Sequence, residues 1–273
     1  MLAAAAVLVV SSLLALTPQQ KAALLVVTTE QPQIFTGAAG IRFANQEGGE
    51  VQAFRDAPRT AARAYRSAGQ AFAAGRATRA SLRAHGIDVD FAPVFDTSDG
   101  PLGSRQFADS SYAVAFARGL GPAACAKHFP GLGSATYNTD DRPHVEARVR
   151  SQDLAPYRAA IRDGLRCVMV DNAFYGTPFR ATLEPPTYRL LRRLGFRGVA
   201  ITDSLSLVRE APVERWAPQA VRAGADMVLF TSPAQAARAI RALVPLARRG
   251  ELDAHVARVL RYSAELRSLR VRR

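Results

Sequence analysis

The residues of this 273-residue chain that are best suited to chemistry stand directly after short apolar runs. Asn45-Gln46-Glu47 follows one run, Asp96 a second, Lys127-His128 a third, Asp171-Asn172 a fourth and Asp203 a fifth. Carboxylates in such places can carry protons or attack an electrophilic carbon. A lysine beside a histidine adds a cation and a neutral donor and acceptor, a pair that suits a ligand rich in hydroxyl groups. Lys127 also stands out by rarity. Of the 36 basic residues only Lys21 and Lys127 are lysines, and the other 34 are arginines.

The elements that must position these groups are legible as an alternation. Apolar runs at 23–29, 40–44, 89–94, 123–128, 167–171, 198–203 and 226–231 read as strands. Helical patterns cover 59–85, 110–118, 154–164, 186–194, 212–223 and 234–247. Continuous apolar strands separated by amphipathic helices imply a parallel sheet covered by helices, with right-handed crossovers. The fold class is therefore α/β, and a (β/α)8 barrel is favoured, because its post-strand loops all open on one face. A doubly wound sheet would spread the same residues along a line. Only 11 residues lie between Thr29 and Ile41, too few for a strand and a crossover helix. The barrel is thus expected to lack its second βα unit, or to replace it with a short extended piece near 33–36. In the first case an open seam would be left for the N-terminal segment to cover.

Composition narrows the function. With 48% hydrophobic and 22% charged residues the chain is an ordinary globular one, neither disordered nor a polytopic membrane protein. The net charge of +13 comes from dispersed arginines without a nucleic-acid-binding module, so no nucleic-acid partner is expected. Cys125 and Cys167 lie in separate apolar runs and read as buried free thiols, and no metal-ligand cluster is visible.

Four segments together resemble glycoside hydrolase family 3. They are Asn45-Gln-Glu-Gly-Gly49, Gly86-Ile-Asp-Val-Asp-Phe-Ala-Pro-Val-Phe-Asp96, Lys127-His-Phe-Pro-Gly-Leu-Gly133 and Gly195-Phe-Arg-Gly-Val-Ala-Ile-Thr-Asp203. The likeness is nearest to that family's single-domain bacterial β-N-acetylglucosaminidases of cell-wall turnover. It implies a retaining exo-β-glycosidase acting on terminal β-linked amino sugars without metal or cofactor. Asp203 matches the family's nucleophile position. Asn45, Glu47, Arg105, Lys127 and His128 match positions that line or contact the sugar. A catalytically impaired descendant that binds glycans is the alternative.

Departures from the resembled pattern sharpen the expectations. Asp140 stands where those enzymes carry a histidine acid/base, and Asn138 stands where they carry the aspartate that orients it. Asp140 is therefore the expected acid/base, with Asp141 its nearest rival. Asn45 replaces a sugar-gripping aspartate, Asn172 a strand-end histidine, and Ala53 a sugar-contacting arginine.

Residues 1–16 are almost wholly apolar and read as a signal-like or membrane-anchoring segment ahead of a single domain at 17–273. This implies a secreted or membrane-attached monomer acting on a carbohydrate. A helix packed on a cytoplasmic domain is the alternative.

Overall fold

The computed structural model describes residues 13, 15–37, 39–96, 100–208 and 211–271. Eight strands form one sheet: β1 Val26–Gln31, β2 Ile34–Gly37, β3 Arg42–Ala44, β4 Val89–Asp90, β5 Cys125–Phe129, β6 Cys167–Val170, β7 Val199–Ser204 and β8 Met227–Phe230. Their order is β4-β3-β2-β1-β8-β7-β6-β5. Single parallel bridges, Asp90 to Ala124 and Val94 to Lys127, join the two ends of that order. The peptide N–H groups of Cys125 and Lys127 donate to the carbonyls of Ala92 and Pro93 (3.0 and 3.1 Å), which brings the barrel nearly to closure. Around it lie α1 Pro18–Leu24, α2 Ala68–Ala84, α3 Ser110–Leu120, α4 Ser151–Arg162, α5 Pro185–Arg193, α6 Val213–Ala223, α7 Pro233–Arg248 and α8 Asp253–Val271.

The second unit is reduced rather than missing. β2 runs antiparallel to both β1 and β3, whereas the remaining pairs are parallel. Reversal removes the need for a crossover helix, because antiparallel neighbours can be joined by a two-residue turn. Pro32 and Gln33 make that turn, with Gln31 paired to Ile34. Since β1 points toward the mouth, its turn with β2 arrives at the mouth as well.

Two of the boundaries that differ from expectation have local reasons. The apolar run at 23–29 begins inside α1, which Thr17 starts with a capping box shared with Gln20. The helix expected at 59–85 begins at Ala68, where the Ser67 hydroxyl accepts from the N–H of Gln70 (3.2 Å). The cysteines are a plain correction. Cys125 and Cys167 are in register on adjacent strands, with Cα atoms 4.3 Å apart, and form a disulfide. Two thiols so placed on one buried face meet directly, which their separate sequence contexts do not reveal.

Of the apolar N-terminal segment, only Leu13, Ala15 and Leu16 fall within the described residues. Leu13 and Leu16 pack against the core. Among the described residues no helix is long and apolar enough to cross a membrane.

α2 and α3 cross closely enough to require glycine at the contact. A Cβ on Gly75 would lie 2.2 Å from the Phe116 carbonyl oxygen, and one on Gly119 would lie 2.3 Å from that of Phe72. Gly75→Ala is expected to separate the helices and cost about 1–3 kcal/mol, read as a lowered urea midpoint. An unchanged midpoint would show that the crossing gives way freely.

Candidate active site

At the mouth, residues after β1, β3, β4, β5 and β7 converge on a cavity of about 300 Å3. Its floor and apolar wall are Phe35, Phe91, Met169, Leu207 and Leu229. Its polar wall includes Asn45, Glu47, Arg105, Lys127, His128, Asp140 and Asp203, so the structure brings together all seven sequence-predicted site residues. It adds Gln33 and Thr231, which sequence reasoning missed. Ala53 stands outside this lining, its N–H donated to Gln46 Oε1 (2.8 Å).

Glu47 organises the polar wall. Arg105 donates to it in bidentate fashion from Nε and Nη2 (2.8 Å each), and Lys127 Nζ approaches Oε1 at 2.6 Å. Burial alone would raise the Glu47 carboxyl, but the charges of Lys127 and Arg105 outweigh it and hold it down at about 2. The turn that delivers Glu47 requires glycine at 48, whose φ is 96° and whose added Cβ would lie 2.4 Å from the Thr60 carbonyl oxygen. Lys127 Nζ also donates to Asn45 Oδ1 (2.9 Å), and Asn45 Nδ2 donates to Gln33 Oε1 (2.8 Å). One chain of contacts therefore runs from Arg105 to the β1–β2 turn.

His128 is held from behind. Its Nδ1 lies 2.8 Å from Asp96 Oδ2, and the N–H groups of His128 and Leu132 donate to the same carboxylate (3.2 and 2.6 Å). An Nδ1–H donated to Asp96 leaves Nε2 as the acceptor available to a ligand. Asp171, behind the cavity, binds the Tyr175 hydroxyl and the Ala173 N–H. Burial raises its carboxyl well above the usual range, and the Asp96 and Asp203 charges add to the rise.

Asp203 sits in β7 where the pairing with β8 shifts register between Ile201 and Ser204. A register irregularity of this kind re-aims a side chain at a strand end. Asp203 is half-buried and accepts from the Ser204 N–H (2.7 Å). Burial raises its carboxyl, and the Asp140 charge raises it further against the opposing effects of His128, the Ser204 N–H and Lys127. Asp140 is more exposed and lies on the loop after Gly133, its N–H donated to Asn138 Oδ1 (3.2 Å). Of the two acid/base candidates, Asp140 lines the cavity and Asp141 does not.

The loop bearing Asp140 is moored to the strand bearing Asp203. Asn172 Nδ2 donates to the Ser204 carbonyl (2.9 Å), and its Oδ1 accepts from the Thr182 hydroxyl (2.8 Å). Asn172 is thus a buried brace for β7 rather than a cavity residue. Arg180 donates to the Asn172 carbonyl (3.0 Å) and to that of Pro143, beyond Asp140 on the same loop.

The chain as a whole has counterparts among known proteins. The family model described as glycosyl hydrolase family 3 N terminal domain matches residues 11–262. A β-hexosaminidase of Vibrio cholerae serotype O1 is 34% identical over 219 residues, which cover 71% of this chain and 66% of that protein. A β-hexosaminidase of Methylococcus capsulatus is 33% identical over 230 residues, covering 72% and 68%. The chain thus spans about two thirds of the length of these curated relatives. Among solved structures, a β-N-acetylhexosaminidase from Beutenbergia cavernae superposes with a TM-score of 0.73 at 30% identity, over 81% of this chain and 78% of that one. A family 3 glycosyl hydrolase from Mycobacterium smegmatis, at 24% identity, shares the fold with a TM-score of 0.78 over 93% and 98%.

Beneath the polar wall, Asp90 is fully buried, with Oδ1 accepting the Gln46 N–H (2.9 Å). Burial pushes its carboxyl up to about 7, with the Glu47 charge adding to the rise and the Gln46 N–H and the Lys127 charge opposing it. Between its ordinary value of 3.8 and about 7, the folded state binds a proton that the unfolded chain has released. Stability from this group therefore falls as pH rises across that window and levels off above it. Asp90→Asn keeps the acceptor and removes the titration. Urea unfolding at pH 4.5 and 7.5 is expected to show the variant gaining on the parent at the higher pH, by on the order of 2–4 kcal/mol. A parent–variant difference independent of pH would refute this role.

Proposed function

Because the chain belongs to glycosyl hydrolase family 3, we propose that it is a retaining exo-β-glycosidase, with terminal β-linked N-acetylhexosamines as its substrate class. The observation that carries the reading is one cavity whose polar wall joins Asp203 and Asp140 to the hydrogen-bonding groups of Asn45, Glu47, Arg105, Lys127 and His128. The names of the β-hexosaminidase relatives support the choice of sugar.

Asp203 is the nucleophile. Its carboxylate oxygen attacks the anomeric carbon as the glycosidic C–O bond breaks, forming a glycosyl-enzyme ester. Burial and the Asp140 charge raise its carboxyl, and the Ser204 N–H and the Lys127 charge work against that rise. Asp140, as the acid, gives its proton to the departing oxygen. As a carboxylate it then takes a proton from water, whose oxygen attacks the anomeric carbon and releases Asp203. Lys127, His128, Arg105, Asn45 and Glu47 bind and orient the sugar hydroxyls.

Hydrolysis of an aryl β-N-acetylglucosaminide is the test. Asp203→Asn is expected to reduce kcat at least about 1000-fold, and mass spectrometry of the quenched parent reaction to find a hexosaminyl adduct on the Asp203 peptide. Asp140→Asn should slow substrates with poor leaving groups far more than activated ones, since only the former need the proton. The exposure of Asp140 favours a second reading, a glycan-binding protein without turnover. Sugar binding by calorimetry, with no hydrolysis across a panel of aryl β-glycosides, would establish that reading instead.

A further inference from the structure

The β1–β2 turn brings a residue to the mouth that no crossover helix would place there. Gln33 has φ 62°, and it is the one non-glycine residue at positive φ among the described residues. A glutamine held in the left-handed region costs about 1 kcal/mol and persists where its surroundings hold it. Here the Gln33 carbonyl accepts the Asn45 N–H (2.9 Å) and Oε1 accepts Asn45 Nδ2 (2.8 Å). Asn45 Oδ1 is in turn committed to Lys127 (2.9 Å).

Each amide oxygen of this pair already accepts one hydrogen bond from within the protein, which leaves the Gln33 Nε2 donors as its least committed group. Gln33 Nε2 has no hydrogen-bond partner among the described residues, and the side chain lines the cavity at its exposed rim. An aspartate at position 45 would have no N–H for Gln33 Oε1, so the two amides work as a unit.

We propose that Gln33 is a specificity-determining residue that donates from Nε2 to an acceptor oxygen on the terminal sugar, while its Oε1 holds Asn45 against Lys127. This rests on the reading of the cavity as a glycoside site and names a contact within it. The ligand feature that it selects is an oxygen able to accept from a neutral amide, such as a ring hydroxyl or an acetamido carbonyl.

Two substitutions separate the roles. Gln33→Ala removes both the donor and the hold on Asn45. Gln33→Glu keeps an oxygen for Asn45 Nδ2 and replaces the outward donor with an acceptor. Dissociation constants for N-acetylglucosamine, glucose and xylose are measured by calorimetry, alongside KM and kcat on the aryl glycoside. Both variants are expected to bind the preferred sugar roughly tenfold more weakly than the parent, with KM raised and kcat nearly kept. Parent-like affinity in Gln33→Glu would overturn the donor contact and leave only a hold on Asn45. Parent-like affinity in both variants would overturn the proposal entirely. If the parent itself binds none of the three sugars, the glycoside reading fails and this inference falls with it.

Discussion

The mouth of the barrel depends on one buried ion group. Glu47 follows β3, Arg105 follows β4 and Lys127 lies in β5, so their contacts tie together three consecutive strand ends next to the bridges that join the two ends of the sheet. Lys127 and Glu47 each leave 4% of their side chains exposed. Charges removed from water this thoroughly must be matched, and losing one partner strands the others at a cost of about 3–5 kcal/mol. The same matching gives the wall its chemistry. A carboxylate held as the anion keeps Arg105 and Lys127 in fixed directions, and fixed donors discriminate among hydroxyl positions better than mobile ones.

Much of this was readable from the chain, for a physical reason. In a parallel barrel the residue after each apolar run is delivered to one face whatever the loops do. Asn45, Glu47, Lys127, His128 and Asp203 could thus be picked out without coordinates. Arg105 and Asp140 lie farther along their loops and needed the family resemblance. Gln33 carried no signal, because its importance comes from the reversed direction of β2. The Cys125–Cys167 bond was illegible for a related reason. Which residues pair across neighbouring strands is set by register, and two isolated apolar contexts 42 residues apart do not encode it.

Asn45, Asn172 and Ala53, the positions that depart from the resembled pattern, differ in their places in the fold. Asn45 stays in the cavity and pairs with a second amide. Asn172 faces inward and braces β7. Ala53 serves the loop that presents Glu47, its N–H donated to the Gln46 side-chain oxygen. Two amides at strand ends can therefore differ, one facing the cavity and the other serving as scaffolding. Burial and partners distinguish the two outcomes.

The mooring through Asn172 and Arg180 carries a mechanical consequence. The carbonyl of Ser204, one residue past Asp203, and that of Pro143, three past Asp140, are gripped by neighbouring parts of one polar cluster. Any displacement of the outer loop must either break the Arg180 contacts or carry the Asn172 segment with it. Arg180 thus couples the position of the loop that carries Asp140 to that of the strand that carries Asp203.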